Sequence, residues 1–140
     1  MSSDRVFLDA NILFSISYGS DSLYRLWELA LNGSCELIAS NYVIEEAKRN
    51  LDLQEHLNKL CIYLSNVIVV PEADPTISCP IDLHEKDIPV LMAAIFAKAD
   101  YLVTGDVAHF GKYFGQSIMG VSICRAREYI SLKDVACFDK

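Results

Sequence analysis

At 140 residues the chain has the length of one domain with a sizeable core. Hydrophobic residues make up 52% and charged residues 22%, which argues against disorder, and no apolar run approaches the roughly 18 residues of a membrane helix. A formal charge of -7, with the acidic excess in residues 1–97, disfavours nonspecific nucleic-acid binding unless metal ions or a basic partner offset it.

Met1-Ser2-Ser3-Asp4-Arg5 places no basic segment ahead of a long apolar one. No signal peptide is therefore expected, and the location expected is cytoplasmic. The five cysteines, Cys35, Cys61, Cys79, Cys124 and Cys137, are odd in number and form no CxxC pair. That pattern supports neither a zinc site nor a disulfide framework. Reduced core cysteines are expected, with Cys79 in its proline-flanked loop the most exposed.

In chain order, Val6 to Leu8 reads as a short buried strand. Asp21 or Ser22 can cap a helix whose face is Leu23, Leu26, Trp27 and Ala30, and Asn32-Gly33 ends it. Glu36 to Ala39 is a second strand. Ser40 or Asn41 then caps a helix with Val43, Ile44, Ala47 and Leu51 on one face. The stripe resumes out of phase at Leu53, Leu57, Leu60, Cys61 and Leu64, so the spacing predicts two helices or a bend near Leu51-Asp52.

Val67 to Val70 is β-branched and reads as a buried strand. Prolines 71, 75 and 80 make the next stretch a loop. Ile88, Leu91, Met92 and Ile95 mark a helix, with Pro89 tolerated in its first turn. Tyr101 to Val103 is the fourth strand and Val121 to Cys124 the fifth. A turn or short helix lies around Gly111, and Ser131 can cap a last helix from Leu132 to about Phe138. Alternation of strands and helices predicts a parallel sheet covered on both faces.

Two of these strands end in aspartate: Asp9 follows the first, and Asp106 follows the fourth through Thr104-Gly105. Ligands of open parallel sheets bind at the carboxyl ends of strands, so both point to one edge. Either carboxylate, or Asn11, can instead cap the next helix. Glu46 lies at the flank of its helix's apolar face, whereas Glu45 lies nearly opposite it and faces solvent. Glu46 can therefore reach over the sheet edge. Asp87 stands at a helix N-terminus, where the dipole favours its charge. Glu85 and Asp82 are neighbouring alternatives.

Clustered carboxylates persist together when cations or protons offset their charge. Oxygen ligands suit Mg²⁺ and Mn²⁺, and no HExxH or paired-cysteine motif points to zinc. Such a pocket fits metal-assisted phosphodiester cleavage better than redox chemistry. Asp4 and Asp100 precede their strands and read as turn or strand-start residues at the opposite edge. His56 and His84 read as helix surface and loop.

The segments Leu8-Asp9-Ala10-Asn11-Ile12-Leu13, Val43-Ile44-Glu45-Glu46, Asp87-Ile88-Pro89-Val90-Leu91-Met92-Ala93-Ala94 and Ala99-Asp100-Tyr101-Leu102-Val103-Thr104-Gly105-Asp106 resemble, in order and spacing, the acidic motifs of PIN domains (the PilT N-terminal type). The similarity spans about residues 5–125, and the toxin-like ribonuclease branch is the nearest in kind. It implies a single domain over residues 1–140, a three-layer α/β/α sandwich with a central, mostly parallel five-stranded sheet. It also implies a Mg²⁺- or Mn²⁺-dependent endoribonuclease acting on single-stranded or structured RNA and leaving a 5′-phosphate and a 3′-hydroxyl.

In that resemblance Asp9, Glu46, Asp87 and Asp106 are the catalytic and metal-holding residues, and Asn11 and Thr104 are polar groups that orient them. A homodimer and an antitoxin protein are the implied partners, with no membrane. Many members carry an additional acid three positions beyond the last motif aspartate. Here that position is His109, which weakens the case for a complete second metal site and makes it a phosphate-contact candidate with Arg49 and Lys112. Tyr18 and Phe110 are candidates for base stacking.

Two other readings compete. One is a catalytically weak PIN-like binding module for RNA or protein, made plausible by His109 and the acidic charge. The other is an acidic-pocket phosphatase, for which the expected DxD spacing is absent because residue 11 is Asn.

Overall fold

The computed structural model describes residues 3–138, with the backbone alone over 135–138. Six strands form one sheet: β1 (Asp4–Leu8), β2 (Cys35–Ser40), β3 (Val67–Val70), β4 (Tyr101–Val103), β5 (Ser117–Ile118) and β6 (Val121–Cys124). Their order across the sheet is β3-β2-β1-β4-β6-β5, parallel throughout except for the β5/β6 pair.

Helices α1 (Ala10–Ser17), α2 (Asp21–Leu31), α3 (Asn41–Arg49), α4 (Gln54–Leu64), α5 (Ile88–Phe96), α6 (Val107–Phe110) and α7 (Ala126–Phe138) complete an α/β/α sandwich. A 3₁₀ turn at Gly111–Tyr113 extends α6. Among the described residues no helix is long and apolar enough to cross a membrane.

The expected elements are present, with five differences. Helix α1 is additional to the elements expected from the sequence. Its buried residues Ile12, Leu13 and Ile16 give a short helical stripe directly against a strand, with no turn between them. The sheet gains a sixth strand, β5. Two residues are too few to show a period, and the turn into β6 uses Met119 and Gly120, both at positive φ, the geometry of a tight hairpin. Strand β3 lies at the sheet edge, so Ile68 and Val69 are about half exposed and not buried as expected. Helix α7 starts at Ala126, more than a turn before Ser131, and the Glu128 carboxylate accepts from Arg125 N–H (2.9 Å) at its entry. Cys61 is the exposed cysteine, because α4 buries only Leu60; Cys79 is half-buried, and Cys137 lies outside the described side chains.

The phase change near Leu51 does separate two helices, α3 and α4. Trp27 is core: its Nε1–H donates to Tyr63 O (3.0 Å) while the ring meets Tyr63 edge-on. Phe7, Leu8, Leu37, Ile38, Leu102, Val103 and Ile123 are fully buried along the central strands. Near-continuous burial on both sides is what a covered parallel sheet requires.

The strand order positions the site. From β1 the chain moves one way, to β2 and β3, then returns to β4 on the other side of β1. The reversal leaves a crevice at the carboxyl ends of β1 and β4, the general location for ligands in open α/β sheets. Leu8 pairs with Val103, so Asp9 and Thr104 emerge side by side.

Candidate functional site

Asp9 is fixed on every side. Its N–H donates to Val103 O (3.1 Å), which holds it in sheet register. Its Oδ1 accepts from Ala10 N–H (2.7 Å) at the head of α1. Its Oδ2 accepts from Thr104 Oγ1–H (2.8 Å) and Asn11 Nδ2–H (3.3 Å). The Thr104 hydroxyl spends its one proton on Asp9 and accepts from Asn11 Nδ2 (3.3 Å) and Asp106 N–H (3.1 Å), which fills its capacity. Asn11 Oδ1 accepts from Gly105 N–H (2.8 Å), which sets the amide's orientation. A Cβ on residue 105 would stand 3.3 Å from that oxygen, so glycine keeps this approach open.

Asp106 follows the same turn. Its Oδ1 accepts from His109 N–H (3.1 Å), capping α6. Capping and pocket lining therefore coincide for both strand-end aspartates. Asp87 differs. It stands at the N-cap of α5 yet makes no side-chain cap bond. Asp87 is 8% exposed, and its Oδ2 has no aligned hydrogen bond, although His109 Nδ1 lies 2.7 Å away. The same His109 nitrogen is 3.0 Å from Asp106 Oδ2.

Asp9, Glu46, Asp87 and Asp106 line one pocket of about 330 Å³ with Asn11, Phe14 and Asn50. Glu46 is half-buried and Glu45 exposed, as the helical phase predicted. Burial pushes the Asp9 carboxyl up to about 6 against the bonds from Thr104 and Ala10, and Asp87 and Glu46 add repulsion. Burial also raises the Asp87 carboxyl, with Asp106 adding repulsion and His109 and His84 opposing the rise. Carboxylate oxygens of this kind suit a divalent cation in their chemistry.

His84, read from sequence as plain loop, belongs to this corner. Its ring stacks on His109 at 4.7 Å between centroids and 5° between planes. His84, Asp87 and His109 bring ligand atoms within 4.8 Å of one another, a cluster able to coordinate a divalent metal. The available signal was the spacing, with His84 three residues ahead of Asp87 at a helix entry. The loop between β3 and α5 is tied down at this point. Tyr42 Oη–H donates to Lys86 O (2.9 Å), Tyr113 Oη–H donates to Asp82 O (2.7 Å), and Glu72 accepts from Tyr42 N–H (3.0 Å).

Other expectations fall differently. Asp82 and Glu85 are absent from the pocket lining, as are Arg49 and Lys112. Arg49 ends α3, and the Lys112 ammonium lies 5.2 Å from the Tyr113 ring centroid. Phe110 is fully buried, so it is a core residue and not a base-stacking one. Tyr18 is 50% exposed and packs between Phe14 and His56 (4.7 and 4.1 Å between centroids). His56 is thus half-buried against Tyr18. Asp4 accepts from Tyr129 Oη–H (2.9 Å) and Asp100 from Arg5 N–H (2.8 Å), both at the far edge of the sheet.

A larger cavity, about 560 Å³, is lined by Tyr42, Ile77, Ile88, Pro89 and Met92 with Glu45 and Glu72. It is mostly apolar, although Asp74 joins Glu45 and Glu72 in its lining.

A family model described as a PIN domain matches residues 5–108. The structure is similar to a chain in the crystal structure of VapBC2 from Rickettsia felis bound to a DNA fragment from their promoter. The TM-score is 0.60 and the identity 20%, covering 86% of this chain and 98% of that one, which shows a shared fold. No curated protein gives a significant match.

Proposed function

Because the chain belongs to the PIN domain family, we propose that it is a Mg²⁺- or Mn²⁺-dependent endoribonuclease cutting single-stranded or structured RNA. The observation that carries this reading is the lining of one pocket by Asp9, Glu46, Asp87 and Asp106. These four are the catalytic and metal-holding residues of the proposal. A bound ion would activate water and stabilise the leaving oxygen of the phosphodiester.

The chain's own contribution is positioning. Thr104 and Asn11 hold Asp9 in one rotamer, and Thr104 also holds the backbone of Asp106. Arg49 and Lys112 are the proposed phosphate contacts, joined by the Nε2 edge of His109, whose Nδ1 faces Asp87 and Asp106. The acidic surface needs such cations, since RNA otherwise meets repulsion.

The reading takes the chain as one cytoplasmic PIN-like domain over residues 1–140, a homodimer controlled by an antitoxin. Support for the last point is the fold shared with a chain of the VapBC2 assembly. The alternative is a binding module that holds RNA or protein without cutting.

The test is cleavage of varied single-stranded RNAs by wild type and Asp9→Asn, with Mn²⁺ and with a chelator. Cleavage that needs Mn²⁺ and falls more than about 100-fold in Asp9→Asn supports the nuclease, since even groups behind a ligand cost about 10–100-fold. RNA binding with no metal-stimulated cleavage across the set favours the binding module.

A further inference from the structure

We propose that His84, Asp87 and His109 form a subsite selective for a borderline first-row transition ion, of the Zn²⁺ or Co²⁺ class, over Mg²⁺. The proposal deepens the nuclease reading and takes its catalytic meaning from it, while the binding claim stands on geometry alone.

The donor set is the first argument. Two imidazoles and one carboxylate offer ligand atoms within 4.8 Å of one another. Imidazole nitrogen suits Zn²⁺, Co²⁺ and their neighbours, whereas Mg²⁺ prefers oxygen and water and dehydrates reluctantly. The remaining pocket, with Asp9 and Glu46, offers oxygen only. Asp87 thus belongs both to the oxygen-lined pocket and to the adjoining histidine cluster.

The second argument is the state of Asp87. It is buried, and the group facing its Oδ2 is His109 Nδ1 at 2.7 Å. An N-cap aspartate usually spends its carboxylate on the helix amides, and this one does not. That carboxylate faces a histidine ring nitrogen instead, and a cation ligated by both groups can replace their direct contact. His109 Nδ1, at 2.7 Å from Asp87 and 3.0 Å from Asp106, directs a ring nitrogen to that point.

The third argument is a local exchange of bonds. His84 Nδ1 accepts from Lys86 N–H (3.1 Å). An ion on Nδ1 would take the lone pair that this bond uses. An ion on Nε2 would require a proton on Nδ1, facing the Lys86 N–H. In both cases the Lys86 amide loses its acceptor, which makes it a reporter of occupancy on a loop fixed by Tyr42 and Tyr113.

The experiment titrates the metal-free full chain with Co²⁺ alone, Zn²⁺ alone and Mg²⁺ alone. Calorimetry gives affinity, visible absorption gives Co²⁺ ligation, and NMR follows the histidine rings and the Lys86 amide. Wild type, His84→Ala and His109→Asp are compared; both positions are exposed, and far-UV circular dichroism checks that each variant is folded.

The expected result is Co²⁺ and Zn²⁺ binding that shifts the His84 and His109 rings and the Lys86 amide. His84→Ala weakens that binding by at least about 10-fold and leaves Mg²⁺ within about 2-fold. His109→Asp narrows the Co²⁺-over-Mg²⁺ preference. Unchanged Co²⁺ affinity in His84→Ala, or Co²⁺ binding with no histidine shift, overturns the proposal. If Mg²⁺-dependent RNA cleavage persists beside that result, the nuclease reading survives it. If Co²⁺ binds at the histidines and no metal supports cleavage, the subsite stands and the nuclease reading falls.

Discussion

The two ends of the acidic pocket are built differently. The Asp9 end rests on adjacent central strands, and its strand-end polar groups are partnered: Asp9 with Ala10, Asn11 and Thr104, and Asn11 with Gly105. The Asp87 end rests on a loop and a four-residue helix, and its carboxylate meets a histidine without an aligned hydrogen bond. The comparison teaches that the first end is pre-organised by the fold, while the second is adjustable and able to specialise. Fully satisfied polar networks are rigid, and partly satisfied ones hold the residual free energy that a ligand can release.

The largest effect is expected where the rigid end is broken from behind. Thr104→Val keeps the shape but removes one donor to Asp9 and an acceptor for both Asn11 and Asp106. Metal-dependent cleavage should fall about 10–100-fold, with a loss of about 1–3 kcal/mol in stability for the polar groups left buried. Kinetics and denaturant unfolding measure both; an unaltered cleavage rate would mean that Thr104 does not position Asp9.

The same end carries a pH signature. The unfolded Asp9 carboxyl titrates near 4, and in the fold burial pushes it up to about 6. Between these values the folded protein holds the extra proton. Stability from this group is therefore greatest below about pH 4 and is lost as pH rises through about 6, on the order of 2–3 kcal/mol. In chelator, Asp9→Asn should gain on wild type by that amount from pH 4 to 7.5. Parallel unfolding curves for the two proteins would contradict the assigned burial cost.

The adjustable end should respond to its tethers. Tyr113→Phe removes the bond to Asp82 O and should cost about 0.5–1.5 kcal/mol, with faster amide exchange around residues 82–87 and little change at Asp9. Equal loosening at both ends would erase the distinction between them. The smallest effect is expected from Gly105→Ala, whose Cβ would stand 3.3 Å from Asn11 Oδ1. A shift of a few tenths of an ångström accommodates it, so cleavage should drop only about 2–10-fold, within the lower range for disturbed supporting groups.

Legibility from sequence followed the same division. Asp9 and Asp106 were readable because each terminates a strand, and parallel strands bring their ends together. Glu46 was readable from helical phase against Val43, Ile44 and Ala47. His84 was not, because its role depends on a loop folding back until its ring meets His109, 25 residues away in a separate element. Phe110 misled for the opposite reason: a four-residue helix has no stripe from which to tell its buried side. Strand β3 carries a sequence typical of a covered strand, and only its place at the edge of the sheet order exposes Ile68 and Val69. The two-residue β5 lies below the length at which alternation can be seen.

Anomalous diffraction from crystals soaked in Mn²⁺ tests the central claim most directly. The expected result is a manganese peak within bonding distance of Asp9 and at least one of Glu46, Asp87 and Asp106. Manganese found only on other surfaces, with this pocket holding water at saturating Mn²⁺, would contradict the account.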